Sequence, residues 1–256
     1  MLRTFISRNL VWPFLLSAIV STAGLLAAPA TPVQTSFDGG ESTTEVDGFP
    51  GKPGEGWASP WMLTPAGTPA KVTVTSASPL GDKTGPYLNV EFKAHTAGQT
   101  AMAVSREVDI NVADVSKPYK ISFSYRPDVA MEGPNDMWFM AGSSVGGSPG
   151  TGPRCTWMIR GSKTVWYLGN GDRKGGATWE RSEMTCVPGK VYHFVVLVDP
   201  GTESWKVEVK TDEARIESAT LGFRESRQDG GKFLYFGVAT GETEVNAGFS
   251  FDSLSV

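Results

Sequence analysis

The amino-acid sequence predicts an all-β protein built as two packed antiparallel sheets, and three observations carry that expectation. Short runs rich in valine, isoleucine, threonine and aromatic residues recur along most of the chain. Turn-forming stretches such as SPLGDKTGP, GSPGTGP, NGD and DPGTES separate them. Between these runs no segment sustains the apolar period of an amphipathic helix.

Residues 1–30 read as a secretory signal peptide. Arg3 and Arg8 precede the apolar run LVWPFLLSAIVSTAGLL, and Ala28 and Ala30 supply the small side chains a signal peptidase accepts, so cleavage is expected after Ala30. Pro13 and the closing Ala-x-Ala pattern set this run apart from a membrane anchor. No cysteine follows it to carry a lipid, and no second long apolar segment occurs. The mature chain is therefore expected to be secreted, periplasmic or extracellular, with no stable membrane insertion.

Residues 31–70 contain GFPGKPGEGWASPWMLTPAGTP, whose glycines and prolines forbid a regular helix. They are expected to form an arm tied to the domain by Trp57 and Trp61. Residues 71–256 are the β-sandwich domain, opened by KVTVTS, YLNVEFKA and AMAVSREVDI. In YKISFSYRP, Tyr119, Ile121, Phe123 and Tyr125 share the packed face and Lys120, Ser122, Ser124 and Arg126 the other. DMWFMAGS, CTWMIR and TVWYLG follow. VYHFVVLVD is apolar in both alternating sets, which predicts a central strand covered on both sides. DPGTES turns it into SWKVEVKT, with Trp205, Val207 and Val209 inward and Lys206, Glu208 and Lys210 outward. KFLYFGVAT and FSFDSLSV complete a set of strands too large for one sheet around one core.

Charge and cysteines narrow the functional classes. The chain has 23 basic and 27 acidic residues, and loss of Arg3 and Arg8 takes the net charge from −4 to −6. That balance lacks the basic footprint nucleic-acid binding needs. Cys155 and Cys186 are the only cysteines, and in an exported chain they are expected to form one disulfide, stabilising by roughly 3 to 4 kcal/mol.

Three passages resemble the concanavalin A-like lectin/glucanase superfamily of jelly-roll sandwiches, which includes LamG-type modules: GKPGEGWASPW, PGKVYHFVVLVDPGTESWKVEV and the closing FSFDSLSV. The resemblance implies a two-sheet antiparallel jelly roll, with ligands on one concave sheet face. Members include lectins, glycoside hydrolases, polysaccharide lyases and inert structural modules, so function rests on the site. The retaining hydrolases carry Glu-x-Asp-x-x-Glu, because two carboxylates must flank the glycosidic bond. Here Glu107 and Asp109 are followed by Val112, and Glu45 and Asp47 by Pro50. The lyases need a tyrosine or histidine base beside groups that neutralise a uronate. His95 and His193 are the only histidines, and His193 reads as a satisfied strand residue. No motif requires a cofactor; a structural calcium held by Asp38 and Asp252 is admitted if the first and last strands pair.

Stacking on a sugar needs aromatic rings beside fixed polar groups. Taking Phe123/Tyr125, Met137/Phe139 and Trp157/Ile159 as core sets, the opposite faces carry Arg126, Asp136, Trp138 and Arg160, joined by Trp166 or Tyr167, whose phase alternation does not fix. This predicts a non-catalytic module binding polysaccharide or another extracellular surface. An enzyme acting on an acidic polysaccharide would use Arg126 and Arg160 on the uronate and Tyr167 or His95 as base. A structural envelope or matrix protein is the third reading.

Overall fold

The computed structural model describes residues 33–35, 37, 56–64, 70–77, 80, 85–92, 101–129, 136–142, 155–162, 165–226, 231–239 and 247–256, all within one compact unit, Thr31–Val256. The expected leader, most of the arm, and Asp38, Glu45, Asp47, Pro50 and His95 lie outside the described residues. Among the described residues there is no helix, hence none long and apolar enough to cross a membrane.

Two antiparallel sheets are formed. The first runs β13 (Arg215–Glu217), β12 (Ser204–Lys210), β11 (Tyr192–Asp199), β6 (Tyr119–Pro127), β16 (Ala247–Ser255), β4 (Tyr87–Phe92) and β3 (Ala70–Thr75), with β1 (Gln34–Thr35) on β16 and β14 (Leu221–Gly222) on β12. The second runs β10 (Ala177–Arg181), β9 (Val165–Gly171), β8 (Cys155–Ser162), β7 (Asp136–Gly142), β15 (Phe233–Ala239), β5 (Ala101–Glu107) and β2 (Met62–Thr64). The last strand lies inside the first sheet, between β6 and β4, so this sheet is completed by contacts distant in sequence.

Alternation decides what fills the space between the sheets. Ile121, Phe123 and Tyr125 of β6 meet Met137 and Phe139 of β7, Phe194 of β11 and Phe236 of β15 in one buried cluster. Its rings meet edge to face or stacked, as between Tyr125 and Phe139 at 4.5 Å and Phe236 and Phe251 at 4.6 Å, the arrangements that ring quadrupoles favour. Trp61 is fully buried against Phe236 and Phe251. Arg106 points inward from β5 beneath it, its guanidinium 4.8 Å from the Trp57 ring and 5.6 Å from Trp61. Arg106 donates from Nε to the Ser59 carbonyl at 3.0 Å and from Nη1 to Thr35 Oγ1 at 3.2 Å, which ties these segments to β5.

Two expectations are corrected. β11 lies centrally in its sheet but is covered on one face only: Tyr192, Phe194, Val196 and Val198 are buried, whereas Leu197 is 48% exposed. The apolar outward residues of VYHFVVLVD therefore meet solvent. Cys155 and Cys186 are two separate buried thiols without a disulfide. They occupy different clusters: Cys155 packs with Phe233 and Tyr235 on the outer face of the second sheet, and Cys186 packs in the core between the sheets. A sheet thus separates the two sulfurs.

Candidate functional site

The second sheet has an unusual outer face, because it carries its own apolar layer. Ala103, Trp138, Met140, Cys155, Met158, Phe233 and Tyr235 form a second buried cluster there, with Trp179 half-buried at its margin. Strand register explains the gathering. Trp138 of β7 lies opposite Arg160 of β8, Arg160 opposite Tyr167 of β9, and Tyr167 opposite Arg181 of β10. These four side chains form one row across four strands.

The β9–β10 turn brings in the residue that completes the cluster. Asp172 Oδ1 accepts from the backbone N–H of Lys174 at 2.8 Å and of Gly176 at 2.9 Å, and Gly175 takes the left-handed φ of 101°. These backbone bonds hold the Asp172 carboxyl below the usual aspartate value. The hairpin then sets Trp179 opposite Gly169, with the indole 3.6 Å from where a Cβ at that glycine would stand. The Arg160 guanidinium consequently lies 5.1 Å from the Trp179 ring and 5.6 Å from the Tyr167 ring. Asp136 Oδ2 is 3.0 Å from Arg160 Nε, an ion pair that holds the guanidinium beside the carboxylate. Burial raises the Asp136 carboxyl above the ordinary aspartate value although Arg160 pulls it down.

The result is a half-exposed patch made of one guanidinium, one carboxylate and two rings, standing beside a buried apolar layer. Of the residues predicted from sequence, the structure unites Asp136, Arg160 and Tyr167. Trp138 shares their face but is 2% exposed, within the apolar layer, so it offers no open platform. Trp166 turns inward and is fully buried against Tyr125, Phe139, Tyr192 and Phe194. The reason is Gly161, its partner across β8 and β9: a Cβ there would lie 2.5 Å from the indole.

Arg126 is separated from this group because it lies on the other sheet. It donates to Asp128 at 2.6 Å, to Ser250 at 3.2 Å and to the Tyr87 hydroxyl at 3.3 Å. Asn89 and Ser250 also donate to Asp128, at 3.0 Å and 2.6 Å, so Arg126 belongs to a polar network bracing β4, β6 and β16. Asp252, 7% exposed, also lies on the first sheet, where a bulge interrupts pairing with β6, and accepts from Ser253 at 2.9 Å. Among the described residues no three acids, histidines or cysteines are grouped to hold a metal ion.

The other chemical candidates are engaged elsewhere. Glu107 ends β5 and pairs with Lys232. Asp109 caps the following turn, accepting from Asn111 N at 2.9 Å. His193 shares a hydrogen bond of 3.0 Å with Ser124 on the first sheet. Trp179, which completes the patch, lies in a stretch that the sequence presents as a loop; the glycines in GNGDRKGG are the signal of its hairpin.

By sequence, no family model and no curated protein matches the chain. Among solved structures, a sialidase superposes with a TM-score of 0.50 at 12% identity, over 77% of this chain and 17% of the sialidase, so the chain spans a small part of that protein. An endo-beta-1,4-glucuronan lyase from the fungus Trichoderma reesei gives a TM-score of 0.48 at 13% identity, over 73% of this chain and 86% of the lyase. Lectin UEA-II, complexed with galactose, gives 0.41 at 12% identity, over 75% of this chain and 92% of the lectin. At such identities the likeness concerns the fold. With its two antiparallel sheets and its C-terminal strand inside one of them, the chain folds as a two-sheet antiparallel jelly-roll sandwich.

Proposed function

We propose that the chain is an exported, non-catalytic module that binds a glycan on the outer face of the second sheet, at Asp136, Arg160, Tyr167 and Trp179. The observation that carries this reading is the Arg160 guanidinium lying 5.6 and 5.1 Å from two half-exposed rings, Tyr167 and Trp179. Aromatic faces accept the C–H side of a pyranose, and a planar guanidinium and a carboxylate orient hydroxyl or acid groups at its edge. Export rests on the basic, apolar and small-residue order of residues 1–30.

Glu107, Asp109 and His193 are engaged in contacts away from this patch, which supports a role without chemistry through them. Tyr167, the base of the lyase reading, stands beside Arg160, so the assay for reaction product decides between binding and elimination. Affinity electrophoresis in gels containing alginate, ulvan, pectin or glucans tests the proposal. Retarded migration without reaction product is expected with at least one of them. New absorbance near ~235 nm, from the double bond that proton abstraction and elimination would create, would instead make the chain a lyase. A calcium shared by Asp38 and Asp252 is a separate proposal, resting on the burial of Asp252; a melting temperature unmoved by chelator rejects it.

A further inference from the structure

We propose that the first sheet carries a second binding site, a groove across β6, β11 and β12 that takes an acidic oligosaccharide. Its origin is the uncovered face of β11. Leu197 lies opposite Lys120 on β6 and Lys206 on β12, forming one row across three strands. Sheet spacing separates the two lysine backbones by about 10 Å, with an exposed aliphatic side chain between them. The groove has a volume of about 460 Å³ and is lined also by Tyr119, Ser204 and Thr220, a size suited to a few sugar rings.

Charge selects the ligand. Neither Lys120 nor Lys206 makes an ion pair among the described residues. Among the described residues Asp199 is the one carboxylate lining the groove; its Oδ1 accepts from the backbone N–H groups of Gly201 and Thr202 at 3.0 and 3.2 Å, which turns it toward the loop, and its single charge leaves the two lysines in excess. Glu208, next outward along β12, is 2.9 Å from Arg215. An acidic chain of net charge −4 therefore has a locally basic groove with an apolar floor.

That pairing matches a pyranose whose C–H face lies on Leu197 while acid groups reach the flanking ammonium groups. An extended acidic peptide fits less well, because β11 is hydrogen-bonded to β6 and β12 on both sides and leaves no edge for an added strand. The site stands on the sheet opposite Arg160 and is independent of the function proposed above.

The test is an NMR titration of the full-length mature chain, following the Leu197 methyl signals. The probes are hexagalacturonate, a sulfated carrageenan hexamer and neutral cellohexaose. The expected result is a shift with the carboxylated or the sulfated probe, absent with cellohexaose and weakened by added salt. Which acidic probe acts distinguishes carboxylate from sulfate as the recognised group. Lys120→Glu combined with Lys206→Glu should lower affinity by at least about tenfold with an unchanged melting curve, and Trp179→Ala should leave this response intact. Unmoved Leu197 signals at millimolar acidic probe would overturn the proposal. So would an undiminished response in the double variant, or a concentration-dependent dimer that the double variant dissolves, which would make the groove an interface between copies.

Discussion

Arg160 and Trp179, on non-adjacent strands of the second sheet, are brought within 5.1 Å by the hairpin that Asp172 and Gly175 fold. If this contact belongs to a ligand platform, removing a ring costs binding and little stability. Trp179→Ala and Tyr167→Ala should each weaken oligosaccharide affinity by about tenfold or more. Thermal unfolding should shift by no more than about 1 kcal/mol equivalent, since both rings are half-exposed. Arg160→Lys keeps the charge but loses the planar stack, so its affinity should fall between wild type and Arg160→Ala.

Gly161 and Phe139 test the core. A side chain at position 161 would collide with the Trp166 indole, so Gly161→Val should destabilise by about 1–3 kcal/mol through overpacking. Phe139 touches Phe123, Tyr125, Trp166, Phe194 and Phe236, and Phe139→Ala should cost about 3–5 kcal/mol. Denaturant melts followed by tryptophan fluorescence check both. Variants as stable as wild type would contradict the packing described.

Burial pushes the Cys186 thiol up to about 12 and also raises Cys155, outweighing the pull of Arg224. Both should therefore resist a thiol reagent in the native protein, since the thiolate is the reacting species. Two thiols should titrate in denaturant without prior reduction, and a reducing agent should leave the melting temperature unchanged. A titre of zero would restore the disulfide.

The raised Asp136 pKa has a definite sign. The folded chain binds this proton more readily than the unfolded chain, so the contribution is fully present below the unfolded value, near 3.8, and is lost as pH rises through the higher folded value. Asp136→Asn removes that dependence. Its unfolding free energy relative to wild type should rise across this acidic window and then level off; parallel pH profiles would show that Asp136 titrates alike in both states.

Much of this architecture could be read from the chain. Period-two alternation places Ile121, Phe123 and Tyr125 of β6 inside, and likewise Trp205, Val207 and Val209 of β12 on the same inner face of the first sheet. It also set Asp136 and Arg160 on an outer face. It does not tell the outer face of one sheet from that of the other, because both faces alternate identically, and so it cannot separate Arg126 on β6 from Asp136 and Arg160 on the other sheet. The phase of Trp166 and Tyr167 was undecided by apolarity alone, yet Gly161 opposite the indole decides it. Trp138 satisfied the outward pattern but is buried, since the second sheet packs an apolar layer on that face as well. The cysteines misled for a topological reason: compartment and count pointed to a bond, whereas the fold assigns the two sulfurs to opposite sides of a sheet.

The glycan-binding account is tested most directly by the indole N–H spectrum of the protein, with the Trp179 signal assigned through Trp179→Phe. On titration with soluble oligosaccharides from alginate, ulvan, pectin and glucans, the account predicts that the Trp179 signal moves saturably with at least one of them. The signals of the buried Trp157, Trp166 and Trp205 should stay in place. A Trp179 signal unmoved by every one of these ligands, or moving no more than that of Trp157, would contradict it.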